Sequence, residues 1–277
     1  MGIINYFKRS LRRKKARRIT SEYPPRIDVF HFDNIGDIEF ANWDNPLYAP
    51  IELNPQMVDF FKQFIKDGDL AIDIGANIGD TTVPMALAAG VSGLTLGFDP
   101  NPYVYKILEK NATLNTGKVN IVPVPYAISK EEEEFYFISS EASFSNGGIS
   151  PTKESKHGKF IYPNKIKGVN LEKFLEEKYS QWLPKFSFIK IDTEGYDKEI
   201  IKSISDLLSK YKPTIIAESF GKSTYEEKTE LYEVIERMGY EIYYFEDFNI
   251  NAKVQKLDNK TDITNYKKTI NIYAVPK

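Results

Sequence analysis

The chain has 277 residues, of which 42% are hydrophobic and 14% aromatic, so a disordered protein is excluded and one large core can be buried. It contains no cysteine, which excludes a disulfide framework, a thiolate metal site and a cysteine nucleophile. The formal net charge of -2 hides an asymmetry, because residues 8–18 are strongly basic and the remainder is acidic.

The basic N-terminal arm, residues 1–25, has two interpretations. Apolar residues at near-helical spacing, followed by cationic ones, are typical of helices that lie on anionic lipid or bind polyanions; they are Ile3, Ile4, Phe7 and Leu11. The alternative is a disordered, solvated arm. Neither a secretion signal nor a membrane-spanning run is recognisable. We therefore expect a cytoplasmic protein, which the arm could hold at the inner face of the membrane.

Residues 26–69 are expected to form a cap followed by a lead-in helix. After Pro24-Pro25, aromatic residues alternate with Asn and Pro, which predicts short strands and turns up to residue 53. A helical apolar period then begins at Pro55 and ends at Asp67-Gly68.

From residue 70 to 277, short apolar runs alternate with helical periods. Strands are predicted at 70–74, 94–98, 119–124, 186–191, 214–218, 241–245 and 270–275. Helices are predicted at 81–89, 102–115, 198–209 and 226–238. This alternation predicts an α/β domain with a mainly parallel sheet covered on both faces, in which the last two strands pair antiparallel.

Residues 131–165 interrupt this rhythm. Four glutamates from Glu131 precede FYFIS, which predicts a charged turn and an extra edge strand. The following stretch, from SSEASF to YPNK, is too long for a plain connection and is typical of a loop over an active site. His157 in this loop is a candidate base, although a lone loop histidine is more often solvent-exposed. Ser143, Ser145 and Asn146 could bind a polyol, or they could simply make the loop flexible.

The segment IDIGANIGDTT joins a strand end, two glycines and a helix start. Such a turn presents backbone N–H groups to a small molecule that approaches closely. The dinucleotide pattern fails because Asn77 and Asp80 stand where glycines are required, and no Walker A lysine follows. A ligand without phosphate groups, and preferably with positive charge, therefore fits better.

Asp99, in GFDPNP, ends the second strand of the α/β domain, where an acid can accept hydrogen bonds from both ribose hydroxyls of a nucleoside. The alternative for Asp99-Pro100-Asn101-Pro102 is a helix N-cap. Taken with Asp73, Asp99 indicates a nucleoside with a cationic tail, and S-adenosylmethionine is such a molecule.

The chain resembles the FkbM-type S-adenosylmethionine-dependent methyltransferases, a family of the Rossmann-like class with a seven-stranded sheet. The resemblance is carried by these two stretches and by KNATLN, VPVPYAIS, FIKIDTEGYDKEII and KPTIIAES. The resemblance covers residues 72–219. It implies that the glycine turn lines the methionine end of the cofactor, that the acid of GFDPNP binds its ribose, and that the residues YAI border its adenine. The implied cofactor-binding residues are Asp73, Gly75, Ala76, Asn77, Gly79, Asp99, Asn101, Tyr126, Ala127, Ile128 and Asp192.

Asp192 and Glu194 are the best-placed catalytic acids, because side chains two apart in an extended segment face the same side and a hydroxyl nucleophile needs a proton acceptor. The alternative is that Asp192 or Thr193 caps a helix beginning near Gly195. Lys190 is interpreted as a solvated or sheet-edge cation. A divalent metal on the two acids is chemically reasonable, but no spacing indicates one, and no metal ligand is predicted.

The resemblance implies O-methylation, and we predict a hydroxyl of a sugar, a cell-surface glycan or a related metabolite as the acceptor. One alternative is an RNA or other nucleic-acid methyltransferase, suggested by the basic arm. An acidic body with a pI near 5.9 offers no continuous basic groove, so no nucleic-acid partner is expected. The other alternative is a non-catalytic module that binds S-adenosylmethionine. An NAD-dependent oxidoreductase is disfavoured because the glycine spacing is wrong.

Overall fold

The computed structural model describes residues 3–193 and 195–277, without the side chains of Ile3, Ile4 and Tyr6. In chain order the helices are α1 (Ile3–Ala16), α2 (Pro55–Phe61), α3 (Thr82–Ala89), α4 (Pro102–Ala112), α5 (Leu171–Lys178), α6 (Asp197–Ser203), α7 (Ser205–Tyr211) and α8 (Tyr225–Arg237). The strands are β1 (Pro25–Phe32), β2 (Gly36–Trp43), β3 (Leu70–Ile74), β4 (Leu94–Phe98), β5 (Ile121–Val124), β6 (Ala127–Ile128), β7 (Glu133–Ser139), β8 (Gly148–Ser150), β9 (Phe160–Val169), β10 (Phe186–Ile191), β11 (Thr214–Ser219), β12 (Tyr240–Phe245), β13 (Val254–Leu257) and β14 (Ile270–Pro276). Short 3-10 helices lie at Ser180–Lys185 and Ile263–Asn265.

A mixed eight-stranded sheet forms the centre of the described chain, in the order β13-β12-β14-β11-β10-β3-β4-β5. From β11 to β5 all neighbours are parallel, whereas β14 pairs antiparallel with both β11 and β12. The expected antiparallel pairing of the last two predicted strands is therefore confirmed. The expected count of seven is one too low, because β13 adds an antiparallel edge strand. Only Leu257 of β13 is buried, so its sequence lacks the apolar pattern of a strand.

Helices cover both faces of this sheet, as the alternation of elements predicts. The helices from α5 to α8 bury their apolar residues on one face, against Ile72, Ile189 and Ile215. On the other face α3 is buried along its whole length, because α2 packs over it. The predicted helix at 198–209 is wrong as a single element, since the chain breaks between α6 and α7 at Ile204, whose φ is -117°.

The cap segment is fixed to the body by a buried amide. Strands β1 and β2 form an antiparallel hairpin, and Asn111 of α4 bonds to it. Its Nδ2 donates to the carbonyls of Ala41 at 3.1 Å and Ile78 at 2.6 Å, and its Oδ1 accepts from the Ala41 N–H at 2.7 Å. Since Asn111 is fully buried, these bonds join the hairpin, the glycine turn and α4 into one unit.

Residues 127–169 build a second sheet, of four strands, in the order β6-β9-β7-β8. The extra strand expected after the glutamate run is β7, which pairs antiparallel with β8 and β9 in this sheet. The expectation of a long irregular loop is corrected, because β8 and the start of β9 lie within it. Only the last part of β9 has a clearly buried pattern, which explains why its first half gives no strand signal in the sequence.

The turn after β3 requires glycine at position 75. Gly75 has a φ of +78°, and its N–H donates to the Phe98 carbonyl at 2.9 Å. A Cβ built there would lie 1.9 Å from the backbone oxygen of Asp192, which no rotamer change could relieve. The glycine therefore allows the ends of β3 and β10 to approach more closely than any side chain would permit.

We expect Gly75→Ala to lower the free energy of unfolding by at least about 2 kcal/mol, because it adds backbone strain and a clash with a neighbouring main chain. The matched control is Gly117→Ala, since a Cβ there meets nothing within 4 Å. The control should change stability by less than about 1 kcal/mol. Denaturant unfolding measures both values, and equal stability of the two variants would refute the close approach at Gly75.

Candidate active site

Acidic side chains collect at the carboxyl edge of the central sheet. Asp73 lies on β3, while Asp99 and Asp192 directly follow β4 and β10. Asp80 enters from the glycine turn and interacts electrostatically with Asp73 and Asp192. Because the carboxyl ends of parallel strands share one edge, residues far apart in the sequence meet there, as in other open α/β sheets.

Asp73 is fully buried and its contacts come from three side chains. Its Oδ2 accepts hydrogen bonds from the hydroxyls of Thr81 at 2.8 Å and Thr82 at 2.7 Å. Its Oδ1 lies 3.3 Å from Nζ of Lys190. Asp73 thus connects the start of α3 to the end of β3 and so fixes the two ends of the glycine turn.

Lys190 occupies the interior of β10, and its side chain is 3% exposed. The interpretation as a solvated or sheet-edge cation is therefore wrong. Its Nζ lies 3.2 Å from Oδ2 of Asp192 as well as close to Asp73. Burial alone would lower the pKa of Lys190, but Asp73, Asp192 and Asp80 together raise it well above its ordinary value. The lysine is a permanent buried cation among carboxylates.

Asp99 joins two loops through its carboxylate. Its Oδ2 accepts from the N–H of Asn77, and its Oδ1 accepts from the N–H of Asn101, both at 2.8 Å. Burial raises the pKa of Asp99 to about 6, although these two N–H groups oppose the increase. A carboxylate oxygen can accept more than one hydrogen bond, so Asp99 keeps capacity for hydroxyl donors.

Asp80 and Tyr48 also lie at the glycine turn. Burial raises the pKa of Asp80 to about 6; Lys190 opposes this increase, and Asp73 and Asp192 reinforce it. Burial also raises the pKa of the Tyr48 phenol, and a hydrogen bond with the Asn77 side chain opposes that change. Sequence reasoning missed Tyr48, because only the folded hairpin segment brings it to this edge.

The remaining turn residues have distinct placements. Asn77 adopts the left-handed conformation, with a φ of +50°, which asparagine tolerates better than most residues. Gly79 has a φ of +100°, and a Cβ on it would lie 3.2 Å from Leu108 Cδ1. Ala76 is fully buried and donates its N–H to the Phe98 carbonyl at 3.0 Å. Backbone groups and small side chains therefore line the turn.

Asn101 confirms the helix-cap interpretation of its segment and also holds the long loop. Its Oδ1 accepts from the N–H of Tyr103 at 3.1 Å, which caps α4. Its Nδ2 donates to the Phe144 carbonyl at 2.9 Å. The same loop receives the end of the basic arm, because the Ala142 N–H donates to the Arg17 carbonyl at 3.2 Å. The arm and the loop are thus linked to the acidic edge.

Tyr126, Ala127 and Ile128 lie where the second sheet begins. Ala127 and Ile128 are buried and pair with Gly168 and Val169 of β9. Tyr126 is partly exposed and packs edge-on against Phe174, with ring centroids 6.1 Å apart.

Asp192 remains 38% exposed although it touches Lys190. Neither Asp192 nor Thr193 caps a helix: α6 begins at Asp197, and the Thr193 hydroxyl donates to the Asp197 carboxylate at 2.9 Å. The cap alternative is therefore wrong, and Asp197, which also accepts from the Glu218 N–H, is the structural acid that sequence reasoning missed. Glu194, the second catalytic candidate, lies outside the described residues.

His157 is half-buried in the turn between β8 and β9, where its ring lies against Gly148 of β8. Burial and the neighbouring Lys156 lower its pKa. In the part of the chain that the structure describes, no hydrogen bond joins His157 to the acidic edge. Ser145 and Asn146 bond within their own loop, to Glu141 and Ser139 respectively.

The acidic edge suits a ligand that carries positive charge and hydroxyl groups. The carboxylates of Asp73 and Asp192 contact the ammonium of Lys190, and those of Asp80 and Asp99 interact with it electrostatically. Carboxylates also accept hydrogen bonds from hydroxyls. Among residues 3–193 and 195–277, no group of three or more His, Asp or Glu side chains is arranged to hold a metal ion.

Comparisons with known proteins agree with this chemistry. A family model, the methyltransferase FkbM domain, matches residues 73–242. The hexuronic acid methyltransferase AglP of Haloferax volcanii is 26% identical over 151 residues, which are 54% of this chain and 56% of that protein. The chain thus spans little more than half the length of this curated relative.

Solved structures with a similar course of the chain include two methyltransferases. An S-adenosylmethionine-dependent methyltransferase from Agrobacterium tumefaciens has a TM-score of 0.45 at 10% identity, covering 94% of this chain and 72% of that one. An S-adenosylmethionine-dependent O-methyltransferase from Thermotoga maritima has a TM-score of 0.41 at 12% identity, covering 90% and 85%.

The family match covers more than half of the chain, and it includes Asp73, Asp99 and Asp192. The chain therefore belongs to the FkbM methyltransferase family.

Proposed function

We propose that the protein is an O-methyltransferase whose acceptor is a hydroxyl of a sugar, of a cell-surface glycan or of a related metabolite. This proposal rests on the position of Asp192, whose partly exposed carboxylate is held at the acidic edge by the buried Lys190. An alcohol is a weak nucleophile until its proton is accepted, and a fixed carboxylate can do this. The hexuronic acid specificity in the name of the relative AglP supports a carbohydrate acceptor.

The cofactor would lie across the ends of β3 and β4. Asp99 would accept hydrogen bonds from the ribose, while the glycine turn, from Gly75 to Gly79, would contact the methionine end together with Asp80. Bound S-adenosylmethionine supplies a methyl group activated by its sulfonium. Tyr126, Ala127 and Ile128 would border the adenine. Asp73, which is enclosed, would act on this site through Thr81, Thr82 and Lys190.

The protein's part in the chemistry is then positioning and removal of a proton. The acceptor hydroxyl must approach in line with the transferred methyl group, and Asp192 would orient it while accepting its proton. Glu194 is a second candidate for this role. His157 would join them only if the loop that carries it lies over the acceptor.

A methyl-transfer assay with labelled cofactor tests the acceptor class. We expect label in hexuronic acids or neutral glycans and none in RNA fragments. Asp192→Asn should lower kcat by about 10²- to 10⁴-fold while leaving the acceptor KM nearly unchanged, because it removes the proton acceptor. Asp206→Asn, an exposed acid in the first turn of α7, is the matched control and should behave as wild type.

Methylation of RNA fragments, with no label in any hexuronic acid or glycan, would overturn the acceptor proposal. Full turnover of Asp192→Asn would instead remove Asp192 from the chemistry, and Glu194→Gln in the same assay would then decide whether the second acid takes its place.

The proposed ribose contact is tested by calorimetric titration with S-adenosylmethionine. We expect Asp99→Asn to weaken binding about 10- to 100-fold, because hydrogen bonds to a charged acceptor are lost. Since the pKa of Asp99 is about 6, wild-type affinity should fall as the pH is lowered through 6, where the carboxylate becomes protonated. The control is Asp37→Asn, an exposed acid of the hairpin. Equal affinity of both variants would exclude Asp99 from the contact.

We also propose that α1 holds the enzyme on an anionic membrane surface. Phe7 and Leu11, one helical turn apart, are 60% and 65% exposed, and cationic residues follow them to the end of the helix. None of the helices in the described chain has the length and apolar content needed to cross a bilayer. Such a helix would lie in the interface, with its apolar side chains between the lipid headgroups.

Sedimentation with vesicles tests this surface. The full chain should bind vesicles that contain phosphatidylglycerol more strongly than purely phosphatidylcholine vesicles, and added salt should weaken the binding. Phe7→Ser with Leu11→Ser should reduce it at least about tenfold. The control is Val91→Ser, which removes an apolar side chain that is 57% exposed elsewhere. No preference for the anionic vesicles would contradict the proposal.

A further inference from the structure

A lysine inside a central strand needs a physical reason. Lys190 is the register partner of Asp73 on β3 and of Ile216 on β11, and its sequence neighbours Ile189 and Ile191 are fully buried. An unpaired ammonium in such surroundings would be strongly destabilising. An apolar side chain would fill the position without that cost, so the charge itself requires an explanation.

The contacts of Lys190 join two strand ends. One of its carboxylate partners, Asp73, is enclosed and already bonded to Thr81 and Thr82 on its other oxygen. The other partner, Asp192, reaches the surface of the edge. The ammonium therefore fixes a partly exposed carboxylate against a rigid, buried one, which is more than a neutral side chain could do.

Lys190 also acts on acids that it does not touch. The charged groups that face it are Asp73 from β3, Asp80 from the glycine turn and Asp192 at the end of β10, and it acts over a longer range on Asp99 after β4. From β11 the facing residue is the apolar Ile216. Lys190 opposes the upward shift in the pKa of both Asp80 and Asp99. It is thus the buried cation shared by the whole acidic edge.

We propose that Lys190 is a positioning residue of the cofactor site: its ammonium holds Asp192 against Asp73 and favours the charged form of Asp80 and Asp99, so that the edge can bind a cationic cofactor. This role deepens the proposed cofactor contacts and does not depend on the acceptor. A lysine that merely fills space would not influence the pH at which the cofactor binds.

The test is calorimetric titration of the full chain with S-adenosylmethionine between pH 5 and 8, without any acceptor. Wild-type affinity should fall as the pH drops through about 6, because Asp80 and Asp99 take up protons there. In Lys190→Met, Asp80 and Asp99 lose a cation that opposes the rise in their pKa, so these two carboxylates bind protons more readily. The midpoint of the decline should therefore move upward by about 1 to 3 pH units.

The matched control is Lys228→Met, since Lys228 is also buried but lies on α8 and donates to the Tyr266 carbonyl at 2.7 Å. Its midpoint should equal that of wild type, even if its stability falls. A folded Lys190→Met protein with the wild-type midpoint would overturn the proposal, including when its affinity is uniformly lower at every pH. Wild-type affinity that does not vary with pH would overturn it too.

If Lys190→Met does not fold, Lys190→Gln answers the same question, because it removes the positive charge but keeps a hydrogen-bond donor for Asp73 and Asp192. The midpoint should again move upward, and an unchanged midpoint would refute the role. Failure to methylate any sugar would leave these binding results intact, so the two proposals can fail separately.

Discussion

The close approach of two backbones at Gly75 is the constraint on which the site depends. Because no side chain stands there, the end of β3 meets the end of β10, and the Asp192 N–H donates to the Ile74 carbonyl at 3.0 Å. At this separation the ammonium of Lys190 lies close to Asp73 on β3 and to Asp192 after β10. The charge arrangement of the edge therefore rests on a backbone contact in which no charged group takes part.

Other parts of the chain complete the edge from outside. Asn111 fixes the hairpin, and the segment that follows the hairpin places Tyr48 at the edge. Asn101 binds the loop that contains Phe144 next to Asp99. The arm ends on that loop, through the Arg17 carbonyl. A site built from one sheet edge and three attached segments can keep a common cofactor while the segments adapt to an acceptor.

The sequence predicts those elements whose signal is local. Strands β3, β4 and β10 have the predicted bounds, since an uninterrupted apolar run is itself the signature of a strand buried on both faces. The polar strand β13 and the strands inside the supposed loop have no such signature, because their partners stabilise them. The acids Asp73, Asp99 and Asp192 were recognisable from their positions at strand ends. Lys190 was misread because its buried counterion, Asp73, lies on another strand and only folding brings the two together.

The hydrogen bonds of Asp99 have a thermodynamic consequence. Its carboxylate is already fixed by N–H groups from two separate loops, those of Asn77 and Asn101. A ligand that bonds to it has no backbone segment to order at that point, so little conformational entropy is lost there on association. The same arrangement makes the edge selective for the position of the ligand's hydroxyls. The Asp99 carboxylate cannot rotate to reach the hydroxyls of a nucleoside that binds in a displaced position.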